Sequence, residues 1–513
     1  MDKMLEHSVE GHEKVRGEGS VAARAEGKGI SRVSVSVAEI EEAKMPENSG
    51  TGAKEKLIMD GSETSRAEEI GNCSSWVVNM EKIQEASGSA EMARWEQHSI
   101  YRVPEFIKKE TNRDAYQPQF VSLGPYHHGE PHLLPMEEHK RRAVLHVVNR
   151  ARKPLGEFIA AIEQVADELE ATYNDLGEKW RGANKGRFVE MMVSDGCFML
   201  EFIRAQGIRF KGKVNEDYAT NDPIFSVRSN RTLWATVWRD TIAMENQMPL
   251  AVLQRLLAVQ LAASPSAKVI NNLVRRLLCL DSPRFEEDVD NLGHHFLDIL
   301  HKSYCGTSPQ WEGSDKYPLE LKKRKKDKYD PRTPCAVELN EAGIRFKRSN
   351  TNSIHDVDFE NGVLSMPLFK LHDYTEIELL NLMAFEWLHP NAKRDVVSYI
   401  SFVDKITESE RDVALLRSEG LFENMIGSDK AVVKMFNILT NLAVTPEYGS
   451  MLGYVQWKVN DHCRKRRNKW RAIFVNTYLS NPWVFISMVA AVILLIATLL
   501  QTVYTAVPFY TKS

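Results

Sequence analysis

Between about residue 95 and residue 480 apolar positions recur mostly at three- and four-residue steps, the period of helices that bury one face. The clearest stripe runs through Leu155, Phe158, Ile159, Ile162, Val165, Ala166, Leu169, Tyr173 and Leu176, predicting one continuous helix. Before it, Pro135 suits the first turn of a helix through MEEHKRRAVLHVVNR, and Pro154 stops that helix. The same periodicity predicts helices at 186–205, 230–260, near 267–280, 286–303, 375–388, 393–407, 409–418, 429–441 and about 448–479. Within 230–260, Pro249 lacks a backbone donor and kinks or restarts the helix.

Two stretches depart from this period. AYQPQFVSLGPYHHG (115–129) carries Pro118, Gly124, Pro125 and Gly129, which predict an extended segment ending in tight turns. From Val337 to Leu371 the pattern alternates. Ile354, Val357 and Phe359 precede Asn361-Gly362, and Val363, Leu364, Met366 and Leu368 follow. Asn-Gly between such runs signals a hairpin, because both turn residues tolerate positive φ. With Gly343–Lys347 as a third strand, a small antiparallel β-sheet is expected at about 337–371. Residues 1–90 are rich in Glu, Ser, Gly, Ala and Lys and nearly free of aromatics, so they read as a disordered arm.

A third departure sets the location. Trp483–Leu500 is uncharged, and its weakly polar continuation to Val507 makes it long enough to cross a hydrocarbon layer of about 30 Å. Arg464, Lys465, Arg466, Arg467, Lys469 and Arg471 form a basic collar just before it. Basic residues stay preferentially on the cytoplasmic side, which places the preceding domain in the cytosol. The N-terminus lacks the apolar core of a signal peptide, and Asp2 stands where myristoylation requires a glycine. The pattern is that of a tail-anchored, single-pass protein. The expected fold class is therefore mainly α: a helical domain (95–480) with an inserted small antiparallel sheet, plus one C-terminal transmembrane helix (482–507). Plasma membrane and endomembrane are not distinguished.

Bulk charge excludes rather than assigns. A net charge of −4 over 513 residues gives no general argument for nucleic-acid binding. Cys73, Cys197, Cys279, Cys305, Cys335 and Cys463 are scattered without a C-x-x-C pair, so neither a zinc framework nor a disulfide framework is expected. The Lys322–Lys328 run reads as a solvated loop, and Cys463, beside the collar, is a palmitoylation candidate.

The chemistry-bearing clusters resolve to structural roles. His127, His128, Glu130 and His132 (HHGEPH) offer metal-type donors, but a loop rich in Gly and Pro does not fix their geometry. Asp195 and Glu245 lie inside apolar helical stretches, where buried carboxylates need cationic or hydrogen-bonding partners. Glu245, Asn246 and Gln247 precede Pro249 and are expected, with Asp195, to form a structural polar core that satisfies backbone groups freed there. Gly207–Lys213 nearly spells a phosphate loop, yet Val214 replaces its hydroxyl residue and a helix precedes it. His294, His295 and His301 lack a carboxylate at the H-E-x-x-H spacing and read as packing residues.

Eight segments occur in fixed order: IYRVPEFIKKETNRDAYQPQFVSLGPYHHG (100–129), MEEHKRR (136–142), DGCFMLEF (195–202), MENQMPLAVL (244–253), AVELNEAGIRFK (336–347), FENGVLSMPLF (359–369), NLMAFE (381–386) and NPW (481–483). That succession resembles the plant domain-of-unknown-function 247 family over roughly residues 95–507. Departures are modest: Met244 and Met248 replace the usual aliphatics, and Trp387 replaces a common amide. The resemblance implies membrane association, and a role in self-incompatibility-type recognition in some members. It carries no catalytic residues.

The functional expectation is a non-enzymatic interaction or recognition module, held at membrane lipid and meeting an unidentified protein partner, with no cofactor, metal or nucleic acid. One alternative is a hydrolase-type enzyme using Asp195, Glu245 or the His127–His132 loop, which requires these groups to share one concave pocket. The other is a receptor-like protein with an extracytoplasmic domain, in which the sequons at Asn72 and Asn230 would carry glycans.

Overall fold

In a computed structural model, residues 95–212, 216–280, 291–306, 333–441, 451–465 and 482–510 are described, together with Trp76, Val77 and Met80. The remainder of the arm at 1–90, the Lys322–Lys328 run, and Arg466, Arg467, Lys469 and Arg471 of the collar lie outside the described residues. Chain contacts separate Met1–Val77 from Val78–Ser513, and the description concerns the second unit.

Its elements run in order as α1 (Glu105–Glu110), α2 (Pro135–Ala151), α3 (Leu155–Glu163), α4 (Ala166–Ala171), α5 (Lys185–Phe210), α6 (Val227–Ile242), α7 (Leu250–Leu261), α8 (Ala267–Leu277) and α9 (Phe296–Cys305). After these come α10 (Ala336–Glu341), β1 (Arg345–Arg348), β2 (Asp358–Glu360), β3 (Val363–Met366), β4 (Phe369–Leu371), α11 (Thr375–Leu388) and α12 (Asp395–Ile406). The series closes with α13 (Glu410–Ser418), β5 (Phe422–Asn424), α14 (Asp429–Thr440), α15 (Met451–Arg464) and α16 (Pro482–Tyr510).

The fold is mainly helical, with its few strands in two small sheets. α5 is the axis of the N-terminal half, buried along most of Phe188–Gln206 and packed by α2, α3, α6, α7 and α8. Gly196 lets α7 approach it closely: a Cβ there would meet Leu256 Cδ1 at 2.4 Å. α9 and α11 continue the same core into a second group of helices, α12, α13 and α14.

The single helix expected over 155–176 ends at Glu163, and α4 resumes its apolar stripe through Ala166 and Leu169. The last residues of the stripe leave the helix to meet residue 100, for Ile100 N–H donates to Thr172 O and Asn174 N–H to Ile100 O. The helix expected over 230–260 is two helices, because residues 243–249 run as irregular chain and Pro249 caps α7. Of the helix expected over 286–303, residues 286–290 lie outside the described residues, and α9 begins at Phe296 with His295 as its N-cap.

The hairpin forms as the Asn-Gly pair predicts, with Asn361 at φ 52° and Gly362 at φ 77°. β2 pairs antiparallel with β3. β1, the third strand, adds to β3 in parallel with Phe346 opposite Leu364, a correction to the all-antiparallel sheet. The physical reason is the connection: the nine residues between β1 and β2 carry the chain across to the far side of β3 instead of turning back directly. β4 and β5 form a separate parallel pair.

α16 differs in kind from the others. Its stretch Trp483–Tyr504 is 22 residues long and strongly apolar, with none of its apolar window buried. At 1.5 Å per residue that length is roughly 33 Å, enough to span a membrane. α7, the shorter apolar helix, instead buries Leu250, Val252, Leu253 and Leu256 in the core.

Candidate functional site

The extended segment 115–133 enters the core without strand neighbours, so its buried amides need other acceptors. Side chains from α5, α6 and residues 244–247 supply them. Asp240 accepts from Gln119, Phe120 and Val121 N–H at 2.9, 2.7 and 2.8 Å. Asn246 Oδ1 accepts from Leu123 N–H at 2.7 Å, while its Nδ2 donates to Val121 O and Asp240 O. Asp195 Oδ2 accepts from Gly124 N–H at 2.8 Å. Gln247 binds Thr241 O and Ala243 O at 2.7 Å each and accepts from Leu297 N–H at 3.2 Å. The bonds of Asp240, Asn246 and Asp195 to the segment replace those of a neighbouring strand, while Gln247 ties residues 241–243 to Leu297.

Each buried carboxylate also has a cation. Lys140 Nζ lies 2.7 Å from Asp195 Oδ1 and 2.6 Å from Glu137 Oε1, and donates to Ser122 Oγ at 2.9 Å. Lys108 Nζ lies 2.7 Å from Glu245 Oε1, which also accepts from Val103 N–H. Burial pushes the Asp195 carboxyl upward, opposed by Lys140 and the Gly124 amide. Burial also acts on Glu245, but His127 and Lys108 outweigh it and hold the group below its ordinary value. Asp240 rises through burial despite its three amides.

The HHGEPH loop joins this network at one point. His127 sits between Glu130, 2.7 Å from Nδ1, and Glu245, 3.3 Å from Nε2. His132 lies 3.8 Å from Glu130, and His128 stacks edge-on against Trp180. Thus Glu245 and His127 come together, and Asp195 reaches the same loop at Gly124. All three are closed to solvent.

An open cavity of about 440 Å³ lies beside the network. His128, Arg141, Lys179, Trp180, Arg187 and Glu190 are among its lining residues, while Asp195, Glu245 and His127 are not. Three cations and two carboxylates, Glu137 and Glu190, surround the tryptophan, so the cavity suits a polar group better than an apolar one.

The other nominated residues are placed as follows. His295 is fully buried, donates from Nε2 to Ser99 O at 2.9 Å and accepts from Asp298 N–H, an N-cap made by a neutral imidazole. Burial pushes it down to about 3. His294 is exposed, and its carbonyl accepts from Leu250 N–H. Gly207–Phe210 belong to the last turn of α5, where a phosphate loop would need irregular chain, and Lys213 and Val214 lie outside the described residues. Of the collar, Arg464 ends α15 and Lys465 pairs with Asp461 at 2.8 Å. Sequence reasoning missed Lys108, Lys140, Asp240 and Asn381. For Lys140 a signal existed: it falls on the stripe Met136, Ala143, Val147 that α2 buries.

Comparison with known proteins supplies a family and no chemistry. The family described as "Plant protein of unknown function" matches residues 100–497. The UPF0481 protein At3g47200 of Arabidopsis thaliana is 28% identical over 429 residues, 80% of this chain and 87% of its own. The putative UPF0481 protein At3g02645 of the same plant is 23% identical over 541 residues, 87% of this chain and 96% of its own. No solved structure matches.

Proposed function

Since the chain belongs to the plant domain-of-unknown-function 247 family, whose description names no activity, we propose that it is a non-enzymatic recognition module, held at a membrane by α16 as a single C-terminal anchor with the helical domain in the cytosol. The observation that carries this reading is α16 itself, apolar over 22 residues with none of its apolar window buried in the chain. A soluble protein would leave that surface in water at a cost of roughly 25 cal/mol per Å². The basic residues Arg464–Arg471 precede the span, which supports the cytosolic orientation. Next to an anionic leaflet each contributes about 1 kcal/mol of attraction. Asp195, Glu245 and His127 are engaged in holding the 115–133 segment, so the reading assigns them no substrate. Recognition falls to the exposed helical surface and the charged cavity around Trp180, which accept a protein partner confined to the same membrane.

The test replaces Val489, Leu494, Leu495 and Leu499 together by Ser and fractionates plant or yeast membranes under alkaline carbonate. The native chain is expected in the pellet and the variant, with its helical circular dichroism intact, in the supernatant. Retention of the variant in the carbonate pellet would remove the anchor and this reading with it.

A further inference from the structure

We propose that His301, Cys305 and Glu386 form a site for one zinc-class divalent cation in the core of the helical domain. His301 and Cys305 stand one turn apart on α9, so both side chains leave the same face of the helix. Glu386, near the end of α11, meets them from the opposite side. One ligand atom from each, an imidazole nitrogen, the thiol sulfur and a carboxylate oxygen, lie within 4.8 Å of one another, and all three residues are buried.

The spacing suits a metal. With bonds of about 2.0 Å to nitrogen or oxygen and about 2.3 Å to sulfur, ligand atoms around a tetrahedral ion stand about 3.3–3.6 Å apart. His301 Nε2 is 3.6 Å from Cys305 Sγ and 2.8 Å from Glu386 Oε1, so the first edge is already right and the second opens by a few tenths of an ångström. The carboxylate is held in place: Val396 and Val397 N–H donate to its two oxygens at 2.8 and 2.9 Å, anchoring it to the start of α12. Such outer bonds orient a ligand without consuming its capacity, since each oxygen has a second lone pair. Ser353 Oγ donates to Cys305 O at 2.9 Å and fixes the other end.

Charge selects the ion. A thiolate and a carboxylate carry two negative charges and the imidazole none, so a divalent cation leaves this buried site neutral. On binding, the thiol proton leaves to solvent and the imidazole proton moves from Nε2 to Nδ1, so one proton is released per cation. A sulfur and a nitrogen among the donors disfavour magnesium and calcium, which take oxygen, and favour zinc or cobalt.

Full-length chain produced in zinc-depleted, cobalt-supplemented cells and purified in detergent tests the assignment. The expected result is one cobalt per folded chain with a near-ultraviolet thiolate-to-cobalt charge-transfer band, lost in Cys305→Ser and kept in Cys279→Ser. X-ray absorption of the zinc-grown native chain should show one sulfur and at least two nitrogen or oxygen neighbours, a reading independent of whether any variant folds. A folded native chain without bound metal, a band that survives Cys305→Ser, or a metal shell with several sulfurs would overturn the proposal.

Discussion

Lys140 is fully buried, yet it touches Asp195, Glu137 and Ser122. A cation in that position is tolerated because it neutralises a carboxylate that is itself holding the Gly124 amide. Removing it alone leaves Asp195 unpaired in low dielectric, a loss on the order of 3–5 kcal/mol. Lys140→Met is therefore expected to lower the denaturant midpoint sharply. The double change Lys140→Met with Asp195→Asn should recover much of the loss, since Asn keeps an acceptor for Gly124 without the charge. Equal destabilisation in both variants would show that the loss does not come from the unpaired Asp195 charge. Glu378 poses the opposite case. Burial pushes its carboxyl from 4.5 up to about 7, with a hydrogen bond from Tyr304 acting against the shift. The folded state holds that proton more tightly than the unfolded state. The associated stability is fully present below pH 4.5 and is lost as pH rises through about 7. Glu378→Gln, neutral throughout, should flatten that decline by on the order of 3 kcal/mol. Urea midpoints measured on both chains across that window decide it, and an unchanged slope in the variant would assign the effect to another group.

At the scale of elements, the decisive piece is the irregular segment 115–133 that the helices enclose. It depends on Gly124, at φ +75°, where a Cβ would lie 2.4 Å from Gln247 O and 2.8 Å from Tyr173 OH. Gly124→Ala combines a left-handed backbone with a clash against another backbone carbonyl, and about 3 kcal/mol of stability should be lost. Hydrogen exchange should show the damage locally, as faster exchange at the Phe120–Gly124 amides; unchanged protection there would mean that the segment is held by other means. The elements themselves were largely legible in the sequence. Pro135 and Pro154 bracket α2, and Asn361-Gly362 makes the hairpin, because proline geometry and positive φ are properties of one or two residues. The break between α3 and α4 at Gln164–Val165 was not legible, since the apolar stripe continues across it, nor was the end of α4, beyond which Tyr173 pairs with the sequence-distant Ile100. For the same reason the parallel addition of β1 to β3 could not be read from alternation, which is identical for either direction.

For the whole molecule the prediction concerns topology. If the basic residues before α16 set its orientation, the helical domain faces the cytosol and the sequons at Asn72 and Asn230 stay bare. Protease added to intact vesicles should then remove the domain, and glycosidase should leave the mobility of the chain unchanged; a glycan at either asparagine would reverse the orientation. The chain's own sequence determined the helical class, the turn chemistry, the apolar span and the family, because periodicity, special φ angles, hydropathy over twenty residues and ordered motifs are all written locally. It also marked Asp195, Glu245, Asn246 and Gln247 as polar residues in apolar surroundings. Only the tertiary structure decided what they meet. Lys108 with Glu245, Asn381 with Met244, and His301 and Cys305 with Glu386 are joined by folding and not by spacing. A buried polar group must find its partner wherever the packing of helices delivers one, and that delivery is a property of the assembled core.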